Sequence, residues 1–234
     1  MIMHGGCREI AAMLFKTMSK YKPKMTTKER YLKFIEYFSE AMPDASTELH
    51  YNNTFELLCA VILSAQCTDK RVNSVIPALF NSYPNAHEMA EADTTSIYNL
   101  VKSVSYPNSK TEHLIGMAKV LVERHGGDVP KTFEELTALP GVGRKTANVV
   151  LSVAFGKGCM PVDTHVFRVS RRIGLVPLKC TTPLAVEQYL TKHIPAEMLT
   201  IAHHWLILHG RYVCKSQSPL CEECGIRDVC AKRK

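Results

Sequence analysis

Four cysteines, Cys214, Cys221, Cys224 and Cys230, fall within seventeen residues at spacing C-x6-C-x2-C-x5-C. Between them lie Pro219 and Gly225 and few large apolar residues, so this tail cannot build a core of its own. Four thiolates converging on one metal centre would fix it, because ligand binding supplies the folding energy that burial does not. Such sites hold zinc or an iron–sulfur cluster. Zinc sites more often show two C-x2-C knuckles and this tail has one, so the spacing leans to iron–sulfur and leaves zinc open.

The remaining cysteines (Cys7, Cys59, Cys67, Cys159 and Cys180) are scattered, several in apolar context, and read as small core fillers. No clean apolar core with a small-residue cleavage site stands at the N-terminus. The longest apolar runs, such as residues 149–155, are far shorter than the ~20 residues a bilayer requires. We therefore expect a cytoplasmic chain with no membrane association, its cysteines reduced or metal-bound. The formal charge of +7 raises the prospect of a polyanionic partner without deciding it.

The rest of the chain repeats one signature: a polar cap followed by apolar residues at helical spacing. Thr26 and Glu29 form a capping box ahead of a helix whose Leu32, Ile35 and Phe38 share a face. Thr54 opens a segment over residues 55–65, Asp69 caps the next, Thr94 precedes another, and Asn108 precedes a long one stopped by Gly126 and Gly127. Thr132 and Glu135 make a second capping box, and further helices are expected to end at Gly156, Gly174 and Gly210. No stretch alternates with period two long enough for a strand. The expected fold is all-α. Residues 1–24 show neither cap nor period and read as a loose extension, with Met25 a plausible start.

Leu139-Pro140-Gly141-Val142-Gly143 sits between the helix begun at Thr132 and the next. A helix, a tight glycine turn and a second helix make a hairpin whose backbone N–H groups can cradle a phosphate. A plain helix–helix turn would read similarly, but Arg144 and Lys145 beside it favour the phosphate. An amine at a helix N-terminus beside an arginine feels positive potential, so Lys145 should titrate low enough to act as a nucleophile. It could equally pair a phosphate. Asp163, ahead of Thr164 and His165, could cap a helix or assist chemistry at an electron-poor sugar carbon. Arg168, Arg171 and Arg172 could be a solvated face or could line DNA. His203, His204 and His209 lack the i, i+4 pairing of a helical zinc site and read as packing.

At these motifs the chain resembles the endonuclease III family of helix–hairpin–helix DNA glycosylases. The match is carried by LSAQCTD at residues 63–69, LPGVGRKTANVV at 139–150, VDTHVFRV at 162–169, HHWLILHGRY at 203–212 and the four cysteines. The resemblance implies a six-helix barrel over residues 47–157, with its hairpin at 132–156. It implies a second lobe made of 26–46 with 158–234, whose loop 214–230 holds a [4Fe–4S] cluster. Residues 1–25 stand outside both. It also implies a base-excision enzyme acting on double-stranded DNA with a damaged pyrimidine or an abasic site, and we expect a monomer. Lys145 would attack the anomeric carbon, Asp163 would stabilise the sugar, and β-elimination through a Schiff base would cut the strand. Gln66, Tyr106 and His165 match positions that fill the gap left by a flipped base, while Leu139, Gly141, Gly143 and Arg144 would meet the backbone. Around Tyr106 the chain departs from the family, reading Ser105-Tyr106-Pro107-Asn108 where a glycine is usual. Two other readings compete: an adenine mismatch glycosylase, which lacks the lysine, and a non-catalytic DNA-binding module with structural zinc.

Overall fold

The computed structural model describes residues 25–232, so the expectation for the N-terminal extension lies outside the described residues. Eleven α-helices follow in order among them: α1 Thr27–Ala41, α2 Thr54–Ser64, α3 Asp69–Ser82, α4 Ala86–Ala90, α5 Thr94–Val101, α6 Pro107–His125, α7 Phe133–Thr137, α8 Arg144–Phe155, α9 Thr164–Ile173, α10 Pro183–His193 and α11 Leu199–Tyr212. A 3-10 turn, Ala196–Met198, leads into the last. There is no strand among the described residues, and no helix is long and apolar enough to cross a membrane.

Side-chain caps set most starts. Thr26 accepts the Glu29 N–H while the Glu29 carboxylate accepts the Thr26 N–H at 2.8 Å, closing the expected box. At three other starts the cap lies one residue earlier than expected: Asn53, Thr68 and Asp93 cap, and Thr54, Asp69 and Thr94 are already helical. Adjacent polar residues compete for this place, and sequence cannot say which side chain turns back. The long helix α6 begins at Pro107, which needs no N–H partner in a first turn.

Two buried clusters organise the helices. The first is built from α2 to α8 and includes Leu57, Leu58, Leu79, Met117 and Val150. Its centre is α2, buried from Phe55 to Leu63, a helix apolar on every side because others surround it. The second joins α1 to the chain beyond Met160. Here Trp205 meets Phe34 and Phe38 at ring distances of 5.9 and 5.8 Å, and its indole N–H donates to the Met42 carbonyl at 2.8 Å.

Two helical readings need correction. On α1 the buried face is Tyr31, Phe34 and Phe38, while Leu32 is 58% exposed. The helix carries two neighbouring apolar stripes, and the one with more aromatic area faces inward. Gly210 does not end α11, which runs on to Tyr212. A Cβ at Gly210 would stand 3.0 Å from both His165 Cβ and Val169 Cγ2, so this glycine lets α9 and α11 cross closely.

Candidate active site and cluster site

The hairpin between α7 and α8 is anchored from within. Leu139 is buried, its N–H donates to Leu136 O and its carbonyl accepts from Val142, both at 3.1 Å. Its side chain and both backbone groups are thus spent on the turn. Any contact Leu139 makes with a DNA backbone is therefore through the turn it holds in shape. Gly141 is exposed at φ +76, and a Cβ there would come within 2.7 Å of His113 Cβ. Gly143 caps α8 with no side-chain bond, which leaves the first N–H groups of that helix without a side-chain partner. They are available to an anion.

Arg144 is less free than the sequence suggests. Its guanidinium grips Glu187 of α10 through two bonds of 2.6 and 3.1 Å and lies 5.1 Å over the Phe133 ring. The pair ties the hairpin to the second cluster. Glu187 was not singled out by sequence, since a lone acid on a predicted helix face carries no signal for a partner 43 residues away.

Lys145, the second residue of α8, is exposed on the cleft side. It lines a cavity of about 70 Å3 together with Ser64, Asp69, Asp163, His203 and Arg211. A wider cleft of about 910 Å3 shares Asp69 and Arg211 and adds Cys67, Thr68 and His165. Residues from both clusters therefore face one opening. Asp163 caps α9, its Oδ1 accepting the Val166 N–H at 2.7 Å, and still lines the Lys145 cavity. Cap and cavity wall are compatible roles for one carboxylate with two oxygens.

Three further residues shape this cleft. Arg211 pairs with Asp69 at 2.7 Å and with Glu48, bridging α11 to α3. His203 is buried beside Lys145, and burial first, then the charges of His204 and Lys145, hold its pKa well below the usual range. Burial likewise depresses His204 and His209 to about 4, so both imidazoles are held neutral by their packing. A neutral His203 leaves the cavity wall polar without adding charge near the amine.

The three gap-filling candidates sit on separate elements. Gln66 (φ 53) occupies the turn between α2 and α3, and Tyr106 (φ 55) is the N-cap of α6. His165 stands in the first turn of α9, 3.2 Å from an Arg168 nitrogen. Gln66 is exposed and Tyr106 is 64% exposed. Both take the left-handed conformation that non-glycine residues rarely adopt. The unusual Ser105-Tyr106-Pro107 run is absorbed here: Tyr106 makes the turn and Pro107 supplies the first helical residue.

The arginines of α9 do not form a free basic face. Arg168 donates to the Gly210 and Cys214 carbonyls, and Arg172 to the Lys215 and Ser216 carbonyls at 2.6 and 2.9 Å. Arg171 bonds Leu178 O at 3.0 Å and covers the Phe167 ring. Arg168 and Arg172 thus peg the cysteine loop, work that the sequence had not assigned.

Cys214, Cys221, Cys224 and Cys230 line one cavity with Pro219, Leu220 and Ile226. Burial raises the Cys224 and Cys230 thiols, and the neighbouring cysteines add to it by mutual repulsion. A cationic centre among them removes that repulsion. No group of three or more His, Cys, Asp or Glu side chains among the described residues is placed to hold a single metal ion. The donors, all thiols around a common apolar cavity, fit a multi-iron cluster. Cys59 is buried, and Cys67, Cys159 and Cys180 pack against the two clusters as partly buried thiols.

A glycine hairpin feeding a lysine-bearing helix, set across a cleft from a cysteine-bound lobe, is the architecture of a base-excision DNA repair protein. Residues 59–196 match the HhH-GPD superfamily of base excision DNA repair proteins. Residues 214–230 match the iron–sulfur binding domain of endonuclease III. The chain is 48% identical to endonuclease III of Rickettsia conorii over 85% of its length and 93% of that protein. It is 43% identical to endonuclease III of Escherichia coli K12 over 87% and 95%. A trapped endonuclease III–DNA covalent intermediate superimposes with a TM-score of 0.83 at 42% identity, covering 89% of this chain and 97% of that one. The chain belongs to the endonuclease III family, and its four-cysteine loop carries a [4Fe–4S] cluster.

Proposed function

We propose that this chain, a bifunctional DNA glycosylase and abasic-site lyase of base-excision repair, releases oxidised pyrimidines from double-stranded DNA with Lys145 as its nucleophile. The observation that carries the assignment is the shared cavity of Lys145 and Asp163, open to the cleft between the two clusters. DNA is the partner, and a relative has been trapped as a covalent DNA intermediate. We read the working form as a monomer. The two clusters support lobes over 47–157 and over 26–46 with 158–234.

The target carbon is inaccessible inside a duplex, so the damaged nucleotide must leave the stack. Gln66, Tyr106 and His165 are suited to occupy the space it vacates. The hairpin N–H groups of α8 hold a neighbouring phosphate. The Lys145 Nζ lone pair then bonds to the anomeric carbon as the base departs with the glycosidic electron pair and draws a proton from water. The Asp163 carboxylate stabilises the positive charge that develops on the sugar and takes the proton lost by the amine. Ring opening gives a Schiff base, loss of a C2′ proton expels the 3′ phosphate, and water later releases the amine. An amine nucleophile explains how one site both frees a base and breaks the strand. The cluster supplies folding energy to the tail, while Arg168 and Arg172 hold the loop in register.

The test is borohydride trapping on a duplex containing thymine glycol, comparing wild type with Lys145→Ala. A covalent adduct lost in the variant is expected. Base release with no adduct in the wild type would make the enzyme monofunctional and overturn the role of Lys145.

A further inference from the structure

Lys110 lies in the first turn of α6 and is only 4% exposed. A buried ammonium is costly unless its protons are met, and here two carbonyls meet them. Nζ donates to Leu63 O at 2.7 Å and to Ala65 O at 2.8 Å. Leu63 is in the last turn of α2, and the Ala65 carbonyl belongs to the peptide that leads directly into Gln66. The lysine charge thus sits at the negative end of the α2 dipole and fixes the plane of the peptide before Gln66. The backbone N–H of the same residue donates to Tyr106 O at 3.2 Å and closes the first turn of α6. One residue, through its side chain on one side and its backbone N–H on the other, therefore joins the two turns whose apices, Gln66 and Tyr106, hold positive φ. Burial pushes the Lys110 pKa down, with the Cys67 side chain acting against it.

We propose that Lys110 is a positioning residue that sets the separation of Gln66 and Tyr106, and so makes gap filling in the duplex a concerted act of two loops. The proposal rests on the gap-filling role given to those two residues above. Without the clamp, the Gln66 turn loses its anchor to α6, and each residue must find the vacated space alone. Lys145 stands on α8, Asp163 caps α9, and neither bonds Lys110, so the clamp serves gap filling and leaves the reacting pair in place.

A single-stranded abasic oligonucleotide has no opposite strand and no gap to fill, so it separates the two demands. Lys110→Met in the full, cluster-loaded chain is expected to slow release of thymine glycol from duplex by roughly tenfold to 100-fold, as misplaced positioning groups do. Borohydride trapping on the single strand is expected to hold within about twofold of wild type, since chemistry is untouched. Lys110→Gln, which keeps an amide N–H2 but not the charge, should fall between them, and it decides by the same two readouts if the methionine variant does not fold. Equal losses on duplex and single strand would overturn the proposal, because a merely structural lysine damages both. An unchanged duplex rate would overturn it too. Gln66→Ala and Tyr106→Ala run alongside. If neither slows the duplex reaction, the gap-filling reading fails and takes the proposal with it. If both slow it while the Lys110 variants do not, the clamp alone is wrong.

Discussion

Asp163 offers two separable functions, and two substitutions divide them. Its Oδ1 accepts the Val166 N–H at 2.7 Å, closing the first turn of α9. Asparagine presents an oxygen at the same place and ranks with aspartate as a cap. Asp163→Asn therefore loses only the charge–dipole part of the cap, about 0.5 kcal/mol. Asp163→Ala loses the whole cap, about 1–2 kcal/mol. In a chain of this size each kcal/mol shifts Tm by about 2–4 °C, so the two variants should melt a few degrees apart. Chemistry should order them differently. Both remove the carboxylate from the Lys145 cavity, and loss of a general base typically slows a reaction about 10²–10⁴-fold. Single-turnover release of thymine glycol, with circular dichroism melts on the same samples, gives both quantities. Asn and Ala variants that are equally slow but unequally stable would establish the carboxylate in the reaction. An asparagine variant within about threefold of wild type would reduce Asp163 to a helix cap and refute the reasoning.

Gly141→Ala combines the left-handed penalty at φ +76 with a Cβ 2.7 Å from His113 Cβ, and should cost about 2–4 kcal/mol. Urea unfolding gives the cost and affinity for undamaged duplex should fall with it; wild-type values on both counts would mean the turn has slack. His204 is held at about 4 by burial, below its unfolded value near 6.5. The unfolded chain thus binds the extra proton between those values, and stability rises with pH through that window. From pH 7 to pH 5 His204 should withdraw about 2 kcal/mol. The difference between wild type and His204→Asn, followed by urea unfolding at both pH values, should shrink by that amount at pH 5. A pH-independent difference would show that His204 is not buried neutral.

The all-helical class and the lysine hairpin were legible because their signals are local: caps, helical period and a glycine turn occupy a few residues each. The four cysteines were legible because their density has few other uses. What sequence missed is non-local. Cap positions slipped by a residue at Asn53, Thr68 and Asp93, where neighbouring polar side chains compete. Glu187, Arg211 and Lys110 carry no local mark, since each acts on a partner more than forty residues away. The arginines of α9 were left open between a solvated face and a DNA-lining one for the same reason. Positive charge at helical spacing reads as a nucleic-acid face, and the backbone carbonyls that claim Arg168 and Arg172 come from a loop whose path only the fold defines.

The joining of α1 to the chain beyond Met160 fixes an order of assembly on the ribosome. Phe34 and Phe38 emerge early, but the indole they pack against is residue 205. At roughly 5–20 residues per second, Trp205 follows them after about 10–30 s. The helices from α2 to α8 can bury their own core during that interval. The aromatic face of α1 cannot, and it waits as a sticky surface until Trp205 arrives. Iron loading comes later still, because Cys221, Cys224 and Cys230 all follow Trp205 in the chain. A chain short of iron would then carry an unfixed loop over residues 214–230 on an otherwise closed core, an exposed segment for proteases to find.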